Sequence, residues 1–290
     1  MTTTRYEQEY TTVQDLFYDF CLWEYRLAVP HENKFRSANL LFHSFEVMEA
    51  DDRAFELVRT IREGLGISST VWGVKQLGRD IRWEFYFYDY RKRNRQKSIT
   101  KVLDIIAPLI PCQVAANESL EYFMFSIDVW KQLISGTGNL EEIHMYIGNA
   151  GSTVSSGICY SLRKQETRLE NFYFFFDAKT QLDLIVDKIS CSAYVDIGKI
   201  GLERILWPEM RECGVIVVAN KQGNDAVYFS RINVDQLISF LRRMNYPKEL
   251  ISFVTLNRDN LDHLQFDVGY DYKMEGNDLT ILKSGYYGFF

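Results

Sequence analysis

From Trp72 to Tyr90 the chain reads WGVKQLGRDIRWEFYFYDY, and its second half alternates two sets of side chains. Trp83, Phe85 and Phe87 fall on one parity; Arg82, Glu84, Tyr86 and Tyr88 fall on the other. A period of two marks a β-strand, whose successive side chains face opposite sides of a sheet. One face is wholly apolar. The other mixes charge with phenol rings, whose hydroxyls need polar partners or a wet cavity.

Two further stretches repeat the design of GVKQLGRDIRWEFYFYD (73–89): SLRKQETRLENFYFFFD (161–177) and VANKQGNDAVYFSRI (218–232). Each has an extended run, a Lys-Gln pair, a polar turn and a second run carrying aromatics, which predicts three hairpins. After each comes a segment of helical period: SITKVLDIIAPLI (98–110), QLDLIVDKI (181–189) and NVDQLISFLRRM (233–244). In the last, Val234, Leu237, Ile238 and Leu241 form one stripe, Asp235 and Arg242 face away, and Asn233 stands at the N-cap position. An earlier helix is predicted over RAFELVRTIREGLG (53–66).

Further strands are predicted at 120–128, 143–149, 250–257, 263–272 and 279–287, giving about ten or eleven in all. Short hairpin links imply antiparallel pairing. The fold class that accommodates them is α+β: a closed antiparallel barrel with helices around its outside. Closure removes edge strands, and ten strands leave a lumen wider than side chains alone fill. An open sheet covered by helices on one face fits the same pattern. The chain reads as one unit over 1–290, with an N-terminal helical segment and lead-in (1–66) and repeated hairpin-helix units (67–290).

In the barrel, the mixed face of each strand lines the lumen. That set includes Arg82, Glu84, Tyr86 and Tyr88; Asn171, Tyr173, Phe175 and Asp177; His263, Gln265 and Asp267; and Lys283 with Tyr287. Such a lining suits an allylic diphosphate that ionises. Phenol faces stabilise and shield the carbocation, while cations hold the departing diphosphate. Lys75, Lys164, Lys221 and Lys283, with Arg82, are the candidate clamp, and Lys283 stands out because it lies within a strand. The alternative for each hairpin lysine is a solvated turn.

Composition agrees with a compact globular protein: 290 residues, 47% hydrophobic, 25% charged, 15% aromatic and only 5 prolines. A net charge of −6 argues against a nucleic-acid partner. The basic run RKRNRQK (91–97) reads as a solvated turn, or as attraction for an anionic substrate. No stretch approaches the length of a membrane helix, and MTTTRYEQEY lacks a signal-peptide core, so a cytoplasmic protein without a membrane partner is expected. Five cysteines without a CxxC pair suggest neither a disulfide framework nor a zinc site. Four scattered histidines form no HExxH, and GxSxG, GxxxxGK[ST] and DDxxD are absent.

The repeated units, with VYFSRINVDQLISFL, TLNRDNLDHLQFDV and the closing LKSGYYGFF, resemble the aromatic prenyltransferases of the ABBA barrel fold from about Ser68 to Phe290. NESLEYFMFSIDVWKQLISGTGNLEEI and SGICYSLRKQETRLENFYFFFDAK look closest to the cyanobactin peptide prenyltransferases, which modify ribosomal macrocyclic peptides.

The resemblance implies an isoprenyl diphosphate donor, taken as dimethylallyl diphosphate, and an electron-rich side chain of a cyclic peptide as acceptor; a small indole or phenol is the alternative. It implies Mg2+ bound through the diphosphate, with the metal ligands unknown. It makes Lys283 a diphosphate lysine, Tyr287 an acceptor-side tyrosine, and Asn171 and Tyr173, or Tyr228 in the next repeat, donor contacts. Arg82 lies within one residue of a diphosphate arginine. Glu84 corresponds to an acid near the diphosphate and is the candidate base. Two departures stand out: SSTVWGVKQ lacks the first-hairpin glutamate of peptide-modifying members, and Glu170 or Asn171 stands where a lysine is expected. A non-catalytic barrel carrier of hydrophobic ligands and an inactive family member are the readings from other classes. A carrier needs few buried cations, whereas the enzyme needs several converging on one anion.

Overall fold

The computed structural model describes residues 5–90 and 95–290. Ten strands form a closed antiparallel barrel: β1 Thr70–Leu77, β2 Asp80–Tyr88, β3 Tyr122–Val129, β4 Glu142–Gly148, β5 Ser156–Arg163, β6 Thr167–Asp177, β7 Val215–Lys221, β8 Asp225–Ile232, β9 Phe266–Glu275 and β10 Asp278–Phe289. Each strand pairs with its neighbour in sequence, and β10 returns to β1, with Val71 opposite Phe289 and Lys75 opposite Gly285. This is the α+β barrel expected of the ABBA fold. The open-sheet alternative is excluded because no barrel strand is left at an edge.

The alternation in β2 does what its pattern predicts. Trp83, Phe85 and Phe87 are fully buried on the outer face, while Glu84, Tyr86 and Tyr88 are buried on the inner one. Outside, Trp83 packs edge-on against Phe45 of the helix Ala38–Val47 at 5.0 Å and donates its indole N–H to Ser44 Oγ at 2.8 Å.

The helices predicted from period appear at Arg53–Leu65, Ile99–Ile106, Leu182–Ser190 and Val234–Arg243. The last starts with a reciprocal cap: Asn233 Oδ1 accepts from the Gln236 N–H, and Gln236 Oε1 accepts from the Asn233 N–H, both at 2.9 Å. Asn233→Ala is expected to cost about 1 kcal/mol, or about 2–4 °C in melting temperature, read by thermal denaturation.

One predicted strand is wrong. Residues 250–256 lie in the helix Lys248–Leu256, entered through Pro247 and capped by Asn257. Leu250 and Val254, four apart, share its buried face while Leu256 is exposed, so the period is that of a helix. Its β-branched and aromatic content imitates a strand.

The basic run also differs from expectation. Residues 91–94 lie outside those described. Arg95 stacks on the Tyr122 ring at 3.8 Å and donates to the Tyr122 carbonyl at 3.0 Å, and Lys97 donates to the Ser69 carbonyl at 3.2 Å. These two tie the connection to the barrel instead of solvating it. Among the described residues, no helix is long and apolar enough to cross a membrane.

Candidate functional site

Antiparallel pairing stacks the inward side chains in layers. At one end Lys75, Glu84, Asp128, His144, Asn171, Lys221, Asp271 and Lys283 project from eight different strands and form a charged layer. Glu84 and Asp128 stand directly opposite each other on β2 and β3, an arrangement of like charges that needs a cation between them. Lys75 provides it: its ammonium donates to Glu84 Oε2 at 2.8 Å and also to Asp128 Oδ1. Burial would lower the Lys75 pKa, but the Asp128 and Glu84 carboxylates outweigh it and hold the pKa above the usual lysine value. Asp128 is buried too, yet Lys75, with His144 and Lys283 beyond it, keeps its carboxyl below the ordinary range.

Across the lumen Lys221 binds both oxygens of Asp271, at 3.0 and 2.9 Å, and reaches the Tyr228 hydroxyl at 3.3 Å. Lys283 approaches the same carboxylate at 3.5 Å. Although Asp271 is buried, the two ammonium groups depress its pKa. Three lysines from β1, β7 and β10 thus converge at one end, each resting on a carboxylate. Glu84, Asp128 and His144 also bring one ligand atom apiece within 4.8 Å of one another. Two carboxylates and an imidazole at that spacing could hold a divalent cation.

The next layers are aromatic. Tyr146, Tyr173, Tyr228, Tyr287 and Tyr86 follow one another around the wall, with ring centroids 5.7, 6.3, 6.4 and 6.0 Å apart. Burial pushes all of these phenols upward, so they stay neutral. The rings lie across the wall where glycine makes room. A Cβ on Gly269 would sit 2.1 Å from the Tyr228 ring, and one on Gly73 would sit 2.7 Å from Tyr287. The chamber is therefore faced by π surface for most of its girth.

Its other mouth is covered by the lead-in. Residues 18–24 form a turn closed by the Tyr18 and Glu24 bridge. Asp19 organises it by accepting the backbone N–H groups of Cys21 and Trp23 at 2.9 and 3.0 Å. Phe20 projects into the chamber, 5.0 Å from Tyr86 and 5.1 Å from Tyr287. Arg231, at a β8 bulge, binds Asp19 at 2.9 Å, and the Tyr88 hydroxyl donates to the Phe20 carbonyl at 2.6 Å.

The site residues expected from sequence separate cleanly. Glu84, Lys75, Lys221, Lys283, Asn171, Tyr86, Tyr88, Tyr173, Tyr228 and Tyr287 all face the lumen. Lys164 does not: it is exposed in the β5–β6 turn. Arg82 lies at the rim, half exposed, paired with Asp80 at 3.0 Å.

His263 also stands apart from the chamber. It precedes β9, is buried edge-on to Phe17 at 5.4 Å, and its pKa is lowered to about 4 by burial and by Lys34. The alternation seen in HLQFDVGYDY starts three residues too early, because the strand begins at Phe266.

Sequence reasoning missed Asp128, His144, Tyr146 and Asp271. Their signal was present in the same alternation: FMFSID and HMYIG place Ser126 and Asp128, His144 and Tyr146 on inward parities. No protein-family model matches the chain, and no curated protein matches it.

Proposed function

We propose that the chain is a prenyltransferase of the ABBA type, moving an isoprenyl group, C5 from dimethylallyl diphosphate, onto an electron-rich acceptor. The observation that carries this reading is the stacking of the two layers. Lys75, Lys221 and Lys283 converge at one end of a lumen whose next layers are a belt of neutral tyrosines.

A diphosphate would draw the ammonium groups from their carboxylates, while the isoprenyl chain would extend into the belt. When the C1–O bond breaks, the electron pair leaves with the diphosphate and the allylic cation lies among π faces that stabilise it and exclude water. Three buried or half-buried ammonium groups in one lumen are costly for a carrier of neutral hydrophobic ligands, which favours the enzyme. Mg2+ would neutralise diphosphate charge, and Glu84, Asp128 and His144 are the residues that would hold it.

The acceptor suggested by the resemblance is a side chain of a ribosomal, cyanobactin-like cyclic peptide. The covered mouth favours a second reading, a small indole or phenol, because Phe20 and its turn stand over the chamber. The five cysteines, all free, suit a reducing cytoplasm.

The test is incubation with dimethylallyl diphosphate and cyclic peptides, linear peptides or free indoles and phenols, read by mass spectrometry. Gain of one isoprene unit is expected on a cyclic peptide. Gain on free indoles or phenols alone would replace the peptide acceptor with the second reading. Ligand binding without transfer to any acceptor would favour the carrier.

A further inference from the structure

Glu84 is poorly placed to take a proton from an acceptor. Its Oε2 accepts from Lys75 at 2.8 Å and from Tyr86 at 2.5 Å, and its Oε1 accepts from Ser126 at 2.6 Å. Both oxygens are committed, and the group lies in the charged layer where the diphosphate would sit. The chamber has a second carboxyl, and one of its two oxygens is not committed. Asp267 on β9 is only 5% exposed, stands opposite Tyr287 and Ser230 on its neighbouring strands, and lines the chamber beneath Phe20. Its Oδ1 has no hydrogen-bond partner. A buried carboxylate oxygen without a donor is disfavoured unless it has a use.

We infer that Asp267 is the general base of the transfer, receiving at Oδ1 the proton displaced from the acceptor atom; this rests on the prenyltransferase reading. The balance is simple. The acceptor's electron pair forms the bond to C1 of the allylic cation, the C1–O electrons having left with diphosphate. The proton on the attacked atom then passes to Asp267, and the product leaves neutral at that atom. The geometry suits the division of labour: diphosphate at the lysine end, isoprenyl chain along the tyrosine belt, acceptor and base at the Phe20 end.

Electrostatics set this carboxyl for proton transfer near neutrality. Burial, with the Asp19 charge beside it, raises the Asp267 pKa to about 7, against smaller opposing pulls from the Ser230 hydroxyl and the backbone N–H groups of Phe20 and Arg231. The other ionisable groups that face it are Cys21 and Tyr25 of the lead-in, Tyr88 of β2, Tyr287 of β10 and Cys213. Burial raises the pKa of each of these. Arg231 is engaged with Asp19, at 2.8 and 2.9 Å.

The linkage has a definite sign. The folded chain holds this proton more tightly than the unfolded chain, so the carboxyl favours folding at low pH. That contribution falls as pH rises from the ordinary value of 3.8 to about 7.

The experiment compares the full chain with Asp267→Asn, measuring transfer to the acceptor panel, diphosphate release and melting temperature between pH 5 and 9. For the unaltered chain, transfer should rise with pH through about 7. In Asp267→Asn that limb should vanish, with transfer reduced about 100-fold while diphosphate release persists within a few-fold. The variant should also melt a few degrees higher at pH 8, because a disfavoured buried charge has been removed; a merely structural carboxylate would give the opposite. Undiminished transfer with the same pH limb would overturn the base assignment alone. If the unaltered chain consumes no donor, the transferase reading falls, and this role for Asp267 falls with it.

Discussion

Replacing Lys283 by alanine is expected to cut kcat/KM for the donor about 10- to 100-fold and to leave the fold intact. Of the three lysines in the charged layer, Lys283 has the loosest protein contact, 3.5 Å from Asp271, whereas Lys221 holds that carboxylate at 2.9 and 3.0 Å. Its side chain is also the most accessible of the three, 29% exposed against 8% for Lys75 and 9% for Lys221. It is therefore the ammonium most readily shared with an incoming diphosphate.

Loss of a charge-assisted contact is worth about 1.5–3 kcal/mol, which is the stated loss in rate. Asp271 keeps Lys221, so the substitution leaves no buried carboxylate without a counter-ion. By contrast Lys75→Ala would strand the Glu84 and Asp128 carboxylates, at about 3–5 kcal/mol, and Lys221→Ala would leave Asp271 only its 3.5 Å contact with Lys283, so both would mix folding with function. The measurement is steady-state kinetics against donor concentration beside a thermal melt. The effect should fall mainly on the donor KM. Lys164→Ala, in the exposed turn, should change nothing. Equal rates for Lys283→Ala and the unaltered chain would remove Lys283 from the donor site.

Trp83→Ala is expected to destabilise the fold by about 3–5 kcal/mol. The indole is fully buried between β2 and the helix Ala38–Val47, meets Phe45 at 5.0 Å and satisfies its N–H on Ser44. Truncation would leave a large cavity and take the indole donor from Ser44 Oγ, which would keep only its own bond to the Leu41 carbonyl, and no neighbour can collapse without moving either the strand or the helix. Trp83→Phe keeps most of the ring and should lose only about 1–2 kcal/mol, chiefly the hydrogen bond and a smaller void. Denaturant titration reads both. Similar values for the two variants would show that Trp83 does not join helix to barrel. Trp83 and Glu84 are adjacent on opposite faces of β2, one in the outer core and the other in the lumen.

Much of the barrel is legible in the chain. The parity of WEFYFY in β2 and NFYFFF in β6 assigns outer and inner faces before any pairing is known, since a pleated strand allows nothing else. The helical stripe Val234, Leu237, Ile238 and Leu241 is equally direct. Misreadings come where local composition and period disagree. Residues 250–257 carry strand-like side chains on a helical repeat, and the packing of Leu250 and Val254 decides for the helix. His263 follows the right parity but lies before the first residue that β9 can pair.

The site divides in the same way. That Lys75, Lys221, Lys283 and the tyrosines share the inner face follows from alternation alone, because side-chain direction is a local property of an extended backbone. Which of them meet is not local. The placement of Asp128 opposite Glu84, of Asp271 between Lys221 and Lys283, and of Phe20 over the mouth depends on strand register and on how the lead-in docks. Those are set by packing between segments far apart in sequence. So the chain by itself determined two-faced aromatic strands, fitting either a barrel or an open sheet, with lysines as candidates for the inner face. Only its closure decided that three lysines share one end, that Glu84 is fully hydrogen-bonded, and that Asp267 is left with a free oxygen in the chamber.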